Sequence, residues 1–126
     1  MARRFGRDLV SFMFVYILEA HAYDEWPISC LNEVIPQHRN VSDRAEAAKI
    51  LQQTYPLDSN VTMILDNEDN DFSRVFAAWP FRYCVLKDGR VELQMGLDKD
   101  GSVSLRQLKS WMHGYAQTHA HSQDTW

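Results

Sequence analysis

The stretch Phe12-Met13-Phe14-Val15-Tyr16-Ile17-Leu18, running on into Glu19-Ala20-His21, decides how this chain is to be read. Seven successive aromatic, branched or otherwise apolar residues make the pattern of a strand buried on both faces of a sheet. Residues 1–11 would then be the end of a helix that precedes it. A rival reading arises because Arg3 and Arg4 stand ahead of the apolar run and Ala20-His21-Ala22 follows it, the outline of a secretory signal. Asp8 interrupts the basic stretch, and Glu19 and His21 put titratable groups where a cleavage site takes small neutral residues, so the strand is preferred. The run is about half the ~20 residues a bilayer crossing needs, which excludes a transmembrane helix.

Working outward, Ser42-Asp43-Arg44-Ala45-Glu46-Ala47-Ala48-Lys49-Ile50-Leu51 places acids in a first turn and alanines behind them, with Pro56 as the stop. That predicts a helix from residue 42. Residues 61–65 form a short apolar strand, and residues 71–79 a brief helix ended by Pro80. Residues 83–86 and 91–95 alternate around Lys87-Asp88-Gly89-Arg90, which reads as a β-hairpin. Ser104-Leu105-Arg106-Gln107 is a capping box opening an amphipathic helix through about Tyr115. The predicted order is (α)βαβαββα, an α/β chain without repeat, linker or low-complexity segment.

Composition bounds what such a chain does. With 126 residues, 45% of them apolar, five Gly and four Pro, there is room for one domain. Residues 1–117 are assigned to it and residues 118–126 to a disordered tail. Thirteen basic and seventeen acidic residues give a charge of -4 mixed along the sequence, which leaves no footprint for nucleic acid or anionic lipid. The two cysteines, Cys30 and Cys84, form no CxxC pair and no multi-cysteine zinc site, and are read as reduced thiols.

An order of βαβ, then α, a hairpin and a last helix is the thioredoxin-like arrangement without its first strand and most of its first helix. Specific residues sharpen this. Val15-Tyr16-Ile17-Leu18-Glu19-Ala20-His21 with Asp24-Glu25-Trp26 resembles the VYIxEAHxxDxW motif of the iodothyronine deiodinase family. His38-Arg39-Asn40, Asp43-Arg44 and Ala47-Ala48 are similar to that family's HxN, DR and AA segment. Asp66-Asn67 follows the next strand as the family's Asp does, Ala78-Trp79-Pro80-Phe81-Arg82-Tyr83 is similar to its ALPER stretch, and Asp88-Gly89-Arg90-Val91 to its hairpin turn. The likeness runs from about Phe12 to Trp111.

What the resemblance implies is a selenoenzyme or thiol enzyme of thyroid hormone metabolism. In that family a selenolate in a U-x-x-P or C-x-x-P motif takes iodine from an iodothyronine ring, and a thiol reductant restores it. That motif is absent from these 126 residues. Neither cysteine replaces it, because a low-pKa nucleophile belongs at a helix N-terminus, whereas Cys84 falls within a strand and Cys30 in an irregular segment. The expectation is a selenocysteine upstream of Met1, lost when its UGA codon is read as a stop. No cofactor is expected in the chain itself. Its location as written is cytoplasmic, with a membrane anchor ahead of Met1 left open.

The family likeness also assigns roles. His21, at a strand end where open α/β sheets place ligands, resembles the substrate-contacting His, and an imidazole suits proton donation to a leaving carbon or a phenolate. Its bland alternative is a His capping strand-end backbone. Glu19, two positions away on the same strand face, would orient that imidazole or relay a proton; otherwise it is a rim carboxylate. Tyr16 matches the family Tyr of this strand, although strand aromatics most often pack. Trp26 would stack on a substrate ring, or else close the core edge. Pro80 is the candidate cis-proline beside the site. Arg82 would grip one polar end of the substrate opposite His21, as a guanidinium grips a carboxylate, or form a salt bridge with Asp66 or Glu92. His38 resembles a second family His.

Three departures remove acids or add bulk: Leu18 replaces the first Glu of EEAH, Phe81 a Glu beside the Arg, and Trp79 a Leu. Each makes the cleft more apolar and opens the choice of substrate. Elsewhere, Asp98-Lys99-Asp100-Gly101 lacks the bidentate Glu of an EF-hand and is a turn. Residues 66–71 lack the loop Gly, and His113, His119 and His121 fall toward the tail, so no metal site is assigned. Two function classes stand: the body of a deiodinase-like oxidoreductase acting on a small aromatic substrate, and a non-catalytic thioredoxin-like domain for binding or homodimerisation. The second draws on the strand edge and helix-docking face that the missing elements would leave bare, a liability in a monomer.

Overall fold

A computed structural model describes residues 10–28 and 35–120. Its elements are β1 (Phe12–Tyr16), α1 (Val41–Thr54), β2 (Val61–Leu65), α2 (Asp71–Phe76), β3 (Tyr83–Lys87), β4 (Arg90–Met95) and α3 (Arg106–Ala120). The chain is thus mixed α/β. The helix expected at the start and the environment of Cys30 lie outside the described residues.

β1 and β2 pair in parallel, Phe12 opposite Val61 and Tyr16 opposite Leu65, and α1 supplies the crossover between them. The backbone N–H of Asp66 continues the ladder by donating to the Tyr16 carbonyl at 2.9 Å. The strand is shorter than expected, ending at Tyr16 rather than Leu18, and among the described residues it is fully buried only at Tyr16. Tyr16 packs with Ala47 and Ala48 of α1, joined by Ile35, Leu51, Met63 and Leu65. On the other face Met13 is 64% exposed and Ile64 41% exposed. A continuous apolar run marks a strand able to be covered twice; whether anything covers it is decided by the rest of the fold.

α1 begins one residue early because Asn40 caps it: its Oδ1 accepts the Asp43 N–H at 2.9 Å, and the Asp43 carboxylate in return accepts the Arg39 N–H at 3.0 Å. This is a reciprocal cap one residue wider than the usual box. Arg44, Ala47, Ala48 and Leu51 fall on one stripe at i, i+3, i+4 and i+7, and the first three are buried.

α2 stops at Phe76, three residues before the predicted end, because Ala77 turns into the left-handed region at φ 46 and its N–H caps the Ser73 carbonyl. That conformation costs an L-residue with a Cβ about 1 kcal/mol. Ala77 is exposed, so its methyl contributes little packing. Ala77→Gly is therefore expected to stabilise the protein by roughly 0.5–1 kcal/mol, read as a rise of a few degrees in Tm by calorimetry.

β3 and β4 form a separate antiparallel pair closed by Asp88-Gly89, at φ 51 and φ 74. Positive φ at both central residues is the mirror-image two-residue turn that Asp-Gly favours. A bulge between Val85 and Leu86 leaves Glu92 as the extra residue of β4. Its carboxylate accepts the indole N–H of Trp111 at 3.0 Å and so docks α3 on the hairpin. Lys87 lies over the Tyr115 ring at 5.4 Å, and the Tyr83 hydroxyl donates to the Ser104 carbonyl at 2.9 Å. Trp111, Tyr115 and His119 stack in succession along α3 with ring centres 5.0 and 3.9 Å apart. The i, i+4 aromatic spacing carries the helix to Ala120, past the end expected near Tyr115, so His119 belongs to its last turn and not to a tail. Residues 121–126 lie outside the described part. Among the described residues no helix is long and apolar enough to cross a membrane.

Candidate functional site

The segment leaving β1 turns at once. The Ala22 carbonyl accepts the N–H groups of Glu25 and Trp26, and Ala22 itself is fully buried. The turn is tied to the segment before α1 by the Tyr23 N–H on the Ile35 carbonyl at 3.1 Å and by the Gln37 N–H on the Asp24 carboxylate at 2.7 Å. Asp24 is thus a structural clip, which accounts for its place between His21 and Trp26. Together these segments and the Trp79 loop border a shallow, open cleft of about 520 Å³, lined by Leu18, Glu19, Ala20, Glu25, Trp26, Gln37, His38, Arg39 and Trp79.

Glu19, Trp26 and His38 of the sequence-predicted set meet at this cleft. Tyr16 stands directly behind it. Its ring stacks on His38 with centres 5.6 Å apart, and its hydroxyl donates to Glu19 Oε2 at 2.9 Å. Burial, the Glu19 charge and that hydrogen bond all push the phenol well above its ordinary pKa. The phenol therefore holds its proton and fixes Glu19. Because β1 ends at Tyr16, strand alternation does not put Glu19 and His21 on one face; the contact Glu19 makes is with Tyr16. The Nδ1 of His21 lies 3.2 Å from the Trp26 carbonyl and its ring packs against the Trp26 indole, centres 4.9 Å apart. Trp26 lines the cleft and His21, which is not among its lining residues, packs against Trp26.

His38 is 6% exposed, and neither ring nitrogen has a hydrogen-bond partner among the described residues. Burial lowers its pKa, the Arg44 cation lowers it further, and Glu19 and Asp43 oppose this only in part. The ring is held neutral, with one N–H and one lone pair uncommitted. A buried unsatisfied polar group costs about 1–3 kcal/mol, so these two nitrogens are sites for a water or a ligand atom.

Arg44 is buried as well and braces the site from below. Its Nη1 donates to the carbonyls of Asp66 and Asn67, both at 2.7 Å, and its Nη2 to Asn70 Oδ1 at 2.8 Å. Asp66 caps α2 from outside that helix, accepting the N–H of Phe72 and Ser73 and the Ser73 hydroxyl at 2.8–2.9 Å, while Asn67 takes the Asp71 N–H. Burial raises the Asp66 pKa, but hydrogen bonds from Ser73, Phe72 and Asn67 outweigh it, leaving the carboxyl below its ordinary value of 3.8. Arg44 and this Asp thus brace the segment from residue 66 to residue 70 and the start of α2.

Arg82 is placed elsewhere. Its Nε donates to the Ala77 carbonyl at 2.8 Å and its guanidinium packs against Gly96, where a Cβ would stand 3.3 Å from Cζ. It is not among the residues lining the cleft, and no ion pair joins it to Asp66 or Glu92 among the described residues. The Trp79–Pro80 peptide bond is cis. Burial pushes the Cys84 thiol up, opposed by Arg82, so it stays protonated and is a poor nucleophile. Residues that sequence reading did not single out for the site are Arg39, Gln37 and Glu25. They fall in polar positions around a loop, and only the clip between residues 24 and 37 brings them to one wall.

A family model for iodothyronine deiodinase matches residues 2–116. The chain is similar to thyroxine 5-deiodinase of Rattus norvegicus, 35% identical over 115 residues that make up 91% of this chain and 36% of that protein. Against thyroxine 5-deiodinase of Homo sapiens the figures are 34%, 91% and 36%, and against that of Sparus aurata 34%, 92% and 42%. The chain therefore spans about two fifths or less of the length of these relatives. Matched over nearly all its residues, the chain belongs to the iodothyronine deiodinase family.

Proposed function

We propose that this chain is the substrate-binding body of a deiodinase-like oxidoreductase on a thioredoxin-like scaffold, acting on an iodothyronine-like aromatic substrate. The observation that carries the reading is His38: a neutral imidazole with two unpartnered nitrogens, stacked on Tyr16 in the wall of a cleft that also exposes two indoles, Trp26 at 60% and Trp79 at 45%. Flat apolar walls suit an aromatic ring, and a donor and acceptor set between them suit its phenolic oxygen. The family match supports an iodinated ring.

In the net reaction an aryl C–I bond breaks, a C–H bond forms with one proton, two thiols become a disulfide, and iodide and a second proton are released. A selenolate or thiolate with a thiol reductant supplies the two electrons; we place that nucleophile in sequence outside these 126 residues, since no U-x-x-P or C-x-x-P motif lies within them. This chain's part is to hold the ring and manage the proton. Trp26 and Trp79 grip the ring, His38 binds the phenolic oxygen, and His21, packed against Trp26, donates the proton the ring carbon takes up. Tyr16 keeps Glu19 in place and stays protonated while it does so. Arg82, bound to the Ala77 carbonyl, is assigned to the support of the cis-proline loop.

Two measurements test this. Titration of the chain with an iodothyronine, followed by the indole N–H signals of its tryptophans, is expected to shift Trp26 and Trp79 and leave Trp111 in place; saturation without movement of the first two overturns the binding site. Sequencing the transcript upstream of the Met1 codon is expected to show an in-frame UGA or Cys codon with a Pro codon three triplets after it. An in-frame stop and a transcript beginning at Met1 would instead favour the second reading, a non-catalytic binding or dimerising domain, which the open face at Met13 and Ile64 supports.

A further inference from the structure

Arg44 is 3% exposed, yet every acceptor it reaches is uncharged: the carbonyls of Asp66 and Asn67 and the amide oxygen of Asn70. Its Nε has no acceptor, and no ion pair involves it, among the described residues. The nearby Asp66 carboxylate is engaged instead by the α2 amides and Ser73. Neutral acceptors satisfy hydrogen bonds but do not cancel a charge, so the field of this buried cation acts on its neighbours with little screening.

His38 is one of those neighbours, and Tyr16 joins the two. The Tyr16 ring stacks on His38 and packs against Ala47 and Ala48, on the α1 stripe that carries Arg44. The Tyr16 carbonyl accepts the Asp66 N–H, and the Asp66 carbonyl accepts Arg44 Nη1. Two carboxylates, Glu19 after β1 and Asp43 in α1, pull the other way. Both have other partners: Glu19 takes the Tyr16 hydroxyl, and Asp43 takes the Arg39 N–H. In the cleft wall Glu25 and Arg39 are exposed, of opposite sign and 3.7 Å apart, so they largely offset one another.

We propose that Arg44 is a positioning residue for the cleft, keeping His38 uncharged so that a ring nitrogen offers its lone pair to the O–H of a phenol and the site prefers a phenol to its aryl ether. This rests on the reading of His38 as the group that meets the phenolic oxygen, and adds what sets its donor and acceptor state. An imidazolium has two donors and no lone pair, and meets a phenol and an ether oxygen alike. The neutral ring also accepts, and only the phenol has a proton to give.

The test separates the charge of Arg44 from its bracing. Asn70→Asp puts a carboxylate where Arg44 Nη2 already donates and keeps that contact, and Asp tolerates the left-handed backbone at φ 54. Arg44→Lys keeps the charge and loses the fork of hydrogen bonds. The ring proton of His38, identified by its absence in His38→Leu, is followed by NMR against pH. Asn70→Asp is expected to move its titration midpoint upward and Arg44→Lys to leave it low. An unmoved midpoint in Asn70→Asp, or a rise in folded Arg44→Lys equal to that in Asn70→Asp, overturns the proposal. If Arg44→Lys does not fold, Asn70→Asp decides alone.

The probes for specificity are thyronine and its phenolic O-methyl ether, neither of which titrates between pH 5.5 and pH 7.5. The unaltered chain is expected to favour the phenol about tenfold at pH 7.5. As pH falls, that preference is expected to disappear at a higher pH in Asn70→Asp than in the unaltered chain. Steric exclusion of the methyl group is the same at every pH, so the pH dependence isolates the lone pair. If the midpoint moves but the preference follows the same pH course in both proteins, Arg44 sets the charge of His38 without setting specificity, and the proposal is overturned while the aromatic site stands. If the unaltered chain binds neither probe, the aromatic site itself falls and the proposal with it.

Discussion

His38→Leu is expected to lower the affinity for a phenolic aromatic ligand by about 10- to 100-fold, the worth of one or two buried hydrogen bonds at ~1–2 kcal/mol each. The same substitution is expected to leave stability at pH 7.5 unchanged or up to ~1 kcal/mol higher, because it removes two buried nitrogens that have no partner and keeps an apolar group of similar size against Tyr16. The pH dependence separates this from a packing effect. Burial and the Arg44 charge depress the folded pKa of His38 below 6.5, so below about pH 6.5 the unfolded chain binds the proton that the folded chain refuses. The unaltered protein thus loses stability as pH falls through 6.5 toward the folded value, and His38→Leu does not. The gap in Tm between them should widen in the variant's favour from pH 7.5 to pH 5.5. A variant that binds ligand normally, or melts far below the unaltered protein at pH 7.5, would make His38 a packing residue.

Asp66→Ala is expected to be strongly destabilising, at about 3–4 kcal/mol, from about 1 kcal/mol for each of its four hydrogen bonds. Set against a typical total of about 5–15 kcal/mol, that is a fall of roughly 10–20 °C in Tm. The carboxylate is 3% exposed and accepts the N–H groups of Asn67, Phe72 and Ser73 and the Ser73 hydroxyl. Without it two of the first amides of α2 lose their acceptor, and Asn70, in the left-handed region, offers no side-chain cap in its place. The sign with pH follows from the lowered pKa. Asp66 stabilises the fold fully above its ordinary value of 3.8, and that contribution is lost as pH falls through 3.8 to the folded value. The difference between Asp66→Ala and the unaltered protein should therefore be flat from pH 7 to about pH 5 and close below pH 4. Thermal melts across that range check it; a loss under 1 kcal/mol at pH 7 would show that solvent satisfies the α2 amides.

Much of the local structure was legible because it depends on neighbours in sequence. The five residues of β2, the Asp-Gly turn with its two positive φ values and the alanine-rich stripe of α1 each follow from steric and hydrogen-bonding preferences that act within a few positions. Boundaries slipped where a distant contact intervened. α2 ended early at a left-handed alanine whose carbonyl Arg82 takes, and α3 ran on to Ala120 behind a stack of three rings. In the site, Tyr16, Glu19, Trp26 and His38 could be named from motif, but their pairings could not. Glu19 faces Tyr16 in consequence of the strand ending two residues sooner than its apolar pattern allowed.

The sequence by itself determined the family, through EAH with its Asp and Trp and the DR pair downstream, since side-chain chemistry at fixed spacing survives where other positions drift. It determined the mixed α/β character as well, through the alternation of apolar strands with a capped helix. Only the tertiary structure decided that Arg39 and not Arg82 stands in the cleft wall, that Glu25 stands beside it, and that both nitrogens of His38 lack partners. The reason is physical: burial, desolvation and the pairing of charges depend on groups brought together from residues 16 to 79, and no local preference encodes which of two arginines the folded backbone turns toward an opening.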